Sequence, residues 1–310
     1  MTTTSPLRRI GLVGYGEVGR ILAEDLRAQG VAVSAFDLKF TKAGEAAPLR
    51  AHAEAHGVAV AASARALAEG VDLVVCAVTA SQTLAAAEAS APGCAGGTWF
   101  LDFNSASPGA KARAAARVNE AGGRYVEGAV MTSVPPYRIR VPMLLGGPDA
   151  DALAALLAPL GFAARVASDR LGVASATKMC RSVIIKGMEA MMIESLVTAR
   201  HYGVEDSVLA SLAETFPQID WEKQAAYFFQ RVIEHGRRRS EEVREVAETV
   251  REAGLVPWSA DGTADRQAWV ADLADEGVFT PRGSPGFARS ADWRTEADRL
   301  LAHLDPRQDA

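Results

Sequence analysis

Cysteine is scarce in this chain: three in 310 residues, Cys76, Cys94 and Cys180. None stands at C-x-x-C spacing, so neither a disulfide framework nor a cysteine zinc site is expected, and a reducing cytosol suits the chain. Cys180 is expected to fill a small buried apolar place rather than to react. Long apolar runs are missing too. The longest, Val183 to Val197, is interrupted by Lys186, Glu189 and Glu194; it reads as a helix buried within a protein, with Met188, Met191 and Met192 in the core and Lys186 facing an acidic partner. Met1 to Pro6 is short and polar and lacks the apolar stretch of a signal peptide, so a soluble cytoplasmic protein without a membrane partner is expected. Nor does charge of one sign dominate. With 33 Lys and Arg against 38 Asp and Glu, a net charge of −5 offers no footprint for nucleic acid or an anionic membrane, which leaves a small-molecule partner. His52, His56, His201, His235 and His303 have no metal-ligand spacing, and no metal site is expected.

What the chain does have is a glycine-rich turn near its start, Gly14-Tyr15-Gly16-Glu17-Val18-Gly19, preceded by the apolar run Ile10 to Val13. Glycines also mark ordinary turns, but here a helical pattern (Val18, Ile21, Leu22, Leu26) follows, and a second apolar run, Val31 to Phe36, ends at Asp37. That is the layout of a dinucleotide site: Gly14 and Gly16 for a tight turn and close backbone approach, Gly19 for helix–strand packing, and pyrophosphate on the helix N-terminus. The Asp37 carboxylate would accept hydrogen bonds from the adenosine ribose of NAD and repel the 2′-phosphate of NADP. NAD is favoured over NADP, although Lys39 and Lys42 could neutralise a phosphate.

Short apolar runs alternate with Ala-rich helical stretches from residue 9 to about 167, the pattern of a parallel sheet wrapped by crossover helices. Further strands are expected at Val58–Ala61, Asp72–Val78, Thr98–Phe103, Arg124–Ala129, Met143–Gly146 and Phe162–Val166. Helices are expected at 44–56, 80–90, 108–122, with Pro108 at its first position, and 149–159, with Asp149 as N-cap. Beyond residue 168 helical patterns take over, at 172–202, 205–215, 219–234, 237–253 and 263–275. A Pro/Gly loop, Thr280 to Pro285, leads to a short amphipathic helix carrying Trp293, Leu300 and Leu301, and then a polar tail expected to be disordered. The fold class is therefore an α/β Rossmann-type N-terminal domain (1–168) with a mainly parallel sheet. An all-α C-terminal domain (169–310) is joined to it by a long interdomain helix.

A nicotinamide enzyme acting on an alcohol needs a group that takes and returns the hydroxyl proton. Lys178 would face the crevice at the carboxyl ends of the strands, where burial and the positive nicotinamide would lower its pKa. Position alone leaves a solvated lysine as the alternative.

The stretch Gly172-Val173-Ala174-Ser175-Ala176-Thr177-Lys178-Met179-Cys180-Arg181-Ser182 resembles the G-x-G-x-x-x-K-x-x-x-N motif of the β-hydroxyacid dehydrogenases, the family of 3-hydroxyisobutyrate and 6-phosphogluconate dehydrogenases. The glycine turn, Asp102 to Pro108 and Tyr125 to Ser133 are similar to that family's other motifs in the same order. Together they span roughly residues 8 to 200. The resemblance implies that Lys178 is the general acid/base and that Asn104 and the backbone at Val78 and Thr79 line the nicotinamide and its ribose. Two positions of the lysine motif depart from the pattern. Ala174 stands for its second glycine and Ser182 for its asparagine, so Arg181 or a water is expected to help hold substrate. The family's substrate loop appears as Glu127-Gly128-Ala129-Val130-Met131-Thr132-Ser133; Met131 replaces a serine, while Thr132 and Ser133 could still bind a carboxylate.

The helical half resembles an uncharacterised domain found in a bacterial subgroup of the family. Its Arg237-Arg238-Arg239 cluster is either an anion clamp, contributed from the partner of a homodimer, or a solvated helix start. The expected activity is NAD(P)-dependent hydride transfer to or from a small β-hydroxy acid. The alternatives are an imine reductase, whose sequences share a segment similar to Gly128-Ala129-Val130-Met131 but lack the lysine, and a non-catalytic NAD(H) sensor.

Overall fold

The computed structural model describes residues 7–284, 287 and 292–304. The chain divides into two compact units, Met1–Cys180 and Arg181–Ala310.

The first unit is an eight-stranded sheet. Its strands are β1 (Arg9–Val13), β2 (Ala32–Phe36), β3 (Ala59–Val60), β4 (Leu73–Cys76), β5 (Trp99–Asp102), β6 (Arg124–Val130), β7 (Met143–Gly146) and β8 (Ala164–Ser168), in the spatial order β3-β2-β1-β4-β5-β6-β7-β8. All neighbours pair in parallel except β6 with β7. Strand order reverses between β1 and β4, and open α/β sheets bind ligands at that crevice, beyond the carboxyl ends of the strands. Helices α1 (Glu17–Ala28), α2 (Ala46–Ala55), α3 (Ala64–Glu69), α4 (Thr83–Ser90), α5 (Pro108–Glu120) and α6 (Ala150–Leu157) cover the two faces, and α7 (Val173–Tyr202) begins in this unit. The alternation along β4 explains why all of it is buried. Leu73 and Val75 join a core with Ile10, Leu12, Leu22 and Leu101 on one face, and Val74 and Cys76 join Leu67, Phe100 and Tyr125 on the other.

The expected fold class stands, with local differences. Helix α3 was not expected because two turns are too short for a periodic pattern. Its signal is the Ser63 side chain, which accepts from the Ala66 N–H at 3.0 Å. It packs hard on β1: a Cβ at Gly11 would lie 2.2 Å from Leu67 Cδ2. Strand β8 starts two residues later than expected, since Phe162 is a buried core plug rather than a strand residue. Asp149 holds the N-cap position of α6 without a capping bond, because its carboxylate is taken by Arg124.

The second unit holds the rest of α7, then α8 (Glu205–Thr215), α9 (Trp221–Glu252), α10 (Trp258–Asp275) and α11 (Trp293–Leu304). Its core gathers Ile193, Leu196, Phe229, Val232, Ile233, Val270 and Trp293. The two helices expected at 219–234 and 237–253 are one. Gly236 does not break α9; a Cβ there would lie 2.7 Å from the Gln267 carbonyl oxygen, so the glycine lets α10 approach. Helix α10 also begins earlier than expected, at Trp258.

The arginine cluster lies in the middle of α9 and not at a helix start, and each of its guanidiniums bonds the protein's own carboxylates. Arg237 bonds Asp272 and Asp275, and Arg238 bonds Glu242. Arg239 is buried in a two-pronged pair with Glu189, which also accepts from Gln267 at 3.3 Å. Lys186 meets the acidic partner expected of it, Glu242, at 2.6 Å. Met192 is buried and Met188 packs on the core, but Met191 is 62% exposed, and Cys180 is exposed instead of buried. Both fall on the solvent side of α7, which apolar composition alone does not reveal. The loop residues Thr280 to Ser284 are irregular; Pro285 and the tail 305–310 lie outside the described residues.

Candidate active site

The glycine turn is built as its residue types require. Gly14 has φ +96°, which L side chains rarely adopt, and a Cβ there would sit 2.3 Å from the Ala77 carbonyl oxygen. A Cβ at Gly19 would meet the Gly14 carbonyl oxygen at 2.2 Å, which fixes how closely α1 leaves the turn. At Gly16 a Cβ would meet nothing within 4 Å. Gly16 is also the N-cap of α1 and supplies no side-chain bond to the first-turn N–H groups, beside exposed Glu17 and half-buried Val18. Open space over unserved helix N–H groups is the cradle a pyrophosphate needs, so these residues fit a dinucleotide.

Asp37 ends β2 and ties the turn down. Its Oδ2 accepts from the Tyr15 N–H and its Oδ1 from the Lys39 N–H, both at 2.8 Å. Lys39 and Lys42 both face Glu45, at 3.3 and 3.9 Å. Tyr15 is fully buried, its phenol pushed up to about 12 by burial, with its hydroxyl 3.0 Å from His52 Nδ1. His52 Nε2 in turn lies 3.0 Å from Glu24 Oε1. Glu24, His52 and His56 bring ligand atoms within 4.8 Å of one another, a grouping hidden from sequence spacing because Glu24 lies on another helix. Glu24 is already engaged by Arg138 as well as His52.

At the carboxyl end of β5 a buried network positions Asn104. Asp102 Oδ1 accepts from the Asn104 N–H at 2.9 Å, and Asp102 Oδ2 accepts from the Tyr125 hydroxyl at 2.5 Å. Lys111 is also buried, its Nζ donating to the Gly128 carbonyl at 2.6 Å and the Asp102 carbonyl at 3.2 Å. Asn104 Oδ1 then accepts from the Val78 N–H at 2.7 Å, bringing Asn104, Val78 and adjoining Thr79 together above the sheet. Burial pushes the Cys76 thiol up to about 12, keeping it a neutral partner beneath Asn104.

Lys178 lies on the second turn of α7, half-buried, and its Nζ donates to Ser105 Oγ at 2.5 Å. Ser105 was not expected: it precedes Lys178 by 73 residues, and its only signal is the place next to Asn104. Glu127 was not expected in its role either. It is fully buried, its Oε1 accepting from the Gly172 and Ala174 N–H groups at 2.9 Å each and its Oε2 from the Ser175 hydroxyl at 2.7 Å. It thus caps the start of α7. Gly146 makes room for it, since a Cβ there would lie 2.3 Å from Glu127 Oε1.

Both departures noted in the first unit meet in space, for Met131 packs against the small cluster of Ala129, Leu144 and Ala174. Thr132 and Ser133 are exposed just beyond it. Arg181 and Ser182 follow along α7 in the second unit, exposed and buried respectively.

A model of the NAD binding domain of 6-phosphogluconate dehydrogenase matches residues 9–156, and a domain of unknown function (DUF1932) matches residues 199–270. A solved conserved hypothetical protein from Sinorhizobium meliloti 1021 is 34% identical, with TM-score 0.76 and 96% of each chain covered. MTH1747, a conserved protein of unknown function with structural similarity to 3-hydroxyacid dehydrogenases, is 28% identical at TM-score 0.66, covering 86% of this chain and 99% of that one. Mycobacterium tuberculosis 3-hydroxyisobutyrate dehydrogenase, solved with L-serine, is 18% identical at TM-score 0.68 over 96% of this chain and 99% of that one, a likeness of fold.

Proposed function

Because the chain belongs to the β-hydroxyacid dehydrogenase family, in a subgroup with a helical C-terminal domain, we propose that it moves a hydride between a nicotinamide dinucleotide and a small β-hydroxy acid, with Lys178 as general acid/base. The NAD(P)-binding fold supports an oxidoreductase. The observation that carries the role of Lys178 is its Nζ to Ser105 Oγ bond of 2.5 Å, one residue from Asn104 at the carboxyl end of β5.

A bound nicotinamide supplies the hydride acceptor or donor. Lys178 takes the substrate hydroxyl proton during oxidation and returns it to the carbonyl oxygen during reduction. Ser105 orders Nζ before substrate arrives, and Glu127 sets the origin of the helix that carries it. The Thr132 and Ser133 hydroxyls bind the substrate carboxylate. NAD is preferred to NADP: each Asp37 oxygen accepts one backbone N–H and keeps a lone pair for a ribose hydroxyl, while its charge repels a 2′-phosphate.

The cytoplasm suits three unpaired cysteines, and among the described residues no helix is long and apolar enough to cross a membrane. A homodimer would cover the exposed Ile184, Met191 and Tyr202 of α7. A light-scattering mass equal to the monomer would remove it.

The test is Lys178→Ala, assayed with a panel of β-hydroxy acids against NAD and NADP and of cyclic imines against NADPH. Turnover of a hydroxy acid should fall about 10²- to 10⁴-fold while NADH affinity stays unchanged. Wild-type turnover in the variant refutes the lysine's role. Reduction of imines alone replaces the substrate class, and cofactor binding without any turnover favours a sensor.

A further inference from the structure

The connection between β6 and β7 is longer than pairing requires. These strands are antiparallel neighbours, which two residues can join, yet the chain makes an excursion from Met131 to Pro142 before returning, with the Met131 N–H closing it on the Pro142 carbonyl at 2.9 Å. Its first residues are the hydroxyl-bearing Thr132 and Ser133. Its far end lies on α1, the helix whose N-terminus forms the dinucleotide cradle. There Arg138 Nη2 donates to Glu24 Oε2 at 2.7 Å, Arg138 Nε to Asp25 Oδ1 at 2.8 Å, and the Ile139 N–H to Asp25 Oδ2 at 3.0 Å. Ile139 is buried beneath. Arg138 is also the one non-glycine among the described residues with positive φ, +55°. A backbone held there persists when its surroundings over-determine it, and two carboxylates and a buried neighbour do so here.

The contact does not stop at α1. The other Glu24 oxygen meets His52 Nε2, His52 Nδ1 meets the Tyr15 hydroxyl, and the Tyr15 N–H sits on Asp37 within the glycine turn. We propose that Arg138 is a positioning residue that fastens the substrate loop to the cofactor helix, and that the chain Arg138–Glu24–His52–Tyr15 makes dinucleotide binding and the geometry of Thr132 and Ser133 depend on each other. The inference rests on the reading of residues 131–133 as the carboxylate site. A turn tightened by phosphate contacts holds Tyr15, and through it Glu24, in the arrangement that Arg138 grips. By linkage, a loop already gripped favours the same turn.

The experiment compares the full chain with Arg138→Gly, which accepts φ +55° without a side chain, and Arg138→Lys, which keeps a charge. Amide exchange in residues 131–142 is read with and without NADH, alongside NADH affinity and steady-state kinetics on the hydroxy acid the wild type turns over best. NADH should slow exchange in 131–142 of the wild type and fail to do so in Arg138→Gly. In that variant KM should rise about tenfold or more and NADH should bind more weakly by about the factor of protection lost, with kcat within about threefold of wild type; Arg138→Lys should recover part of both losses. The proposal is overturned if NADH leaves the wild-type segment unaffected, if its protection survives in Arg138→Gly, or if KM does not move. The exchange readout needs no substrate, so a wild type that protects the loop yet turns over no hydroxy acid refutes the activity and not the coupling.

Discussion

Replacing Glu127 should loosen the start of α7 more than any single change on the helix itself. The carboxylate is fully buried and serves the Gly172 and Ala174 N–H groups and the Ser175 hydroxyl. In Glu127→Ala the hydroxyl has another acceptor, the Gly172 carbonyl at 3.1 Å, so it is not stranded. The two amides are, and an orphaned buried N–H such as that of Ala174 costs about 1–3 kcal/mol, the half-buried Gly172 N–H somewhat less. Losing an anion at a helix N-terminus adds up to about 1 kcal/mol, for a total near 4 kcal/mol. Glu127→Gln keeps an oxygen for the two amides and turns its NH2 to Ser175 Oγ, which can accept, so only the charge is lost and about 1–2 kcal/mol should go. Amide exchange at Gly172 and Ala174 measures this directly: acceleration of about 10²- to 10³-fold in the alanine variant, about tenfold in glutamine. Turnover should follow the same order, since Lys178 stands on the helix so displaced. Unchanged exchange at these two amides in Glu127→Ala would refute the assignment of Glu127 as the helix anchor.

Gly16→Ala should leave thermal stability within a degree or two yet weaken NADH binding about tenfold or more, because its methyl enters only the space over the helix N-terminus. Gly14→Ala should unfold at lower temperature, with strain and a carbonyl clash costing about 2–4 kcal/mol. A differential scan with and without NADH separates the two. Arg138 and then His52 hold the Glu24 carboxyl below the usual carboxylate range. A depressed folded-state pKa contributes stability that is present above the unfolded value and lost as pH falls through the folded one. Melting temperatures followed from about pH 5 to about pH 2 should therefore fall less steeply in Glu24→Gln than in the wild type. Arg239→Met should lower stability by about 3–5 kcal/mol, because it strands the buried Glu189 carboxylate; adding Glu189→Leu should return much of it, as denaturant midpoints would show.

Much of the architecture was readable because its determinants are local. A positive φ at the turn, a crowded Gly19 and an acid at the end of β2 are each set by neighbours in sequence, and the apolar run of β4 shows its burial on both faces. The elements that escaped depend on contacts across long sequence separations. Lys111 stands in an Ala-rich amphipathic helix, where a lysine normally reaches water; the carbonyls of Asp102 and Gly128 and the buried Asp102 carboxylate at 3.6 Å show why it points inward. Gly236 resembles a helix break until α10 is seen lying against it. Ser105 and Glu127 lie within motifs that do not show what they bond, and Arg138 lies in none. Each is defined by a partner on another element: the amine of α7, the N–H groups that open α7, and the acids of α1.

The same distinction explains how the candidate site is organised. The cradle proposed for the pyrophosphate is made of backbone groups fixed by glycine, whereas Asn104 and Lys178 are side chains held by polar bonds to other elements. Asn104 hangs on Asp102, Lys178 on Ser105, and the origin of α7 on Glu127. Buried bonds of this kind are costly to leave half made, so the network tolerates paired changes better than single ones. Met131 and Ala174 are coupled differently, through apolar packing. Met131 packs on the cluster that contains Ala174, so the two departures from the family pattern share one patch of core beside the loop. Met131→Ser would leave a cavity against this cluster and set a hydroxyl on an apolar surface, and adding Ala174→Gly widens the space further. If substrate choice is written in that patch, the double variant Met131→Ser with Ala174→Gly should shift the preferred hydroxy acid while Lys178 and Ser105 keep their roles. An unchanged ranking of substrates in the folded double variant would move the determinant out of this patch.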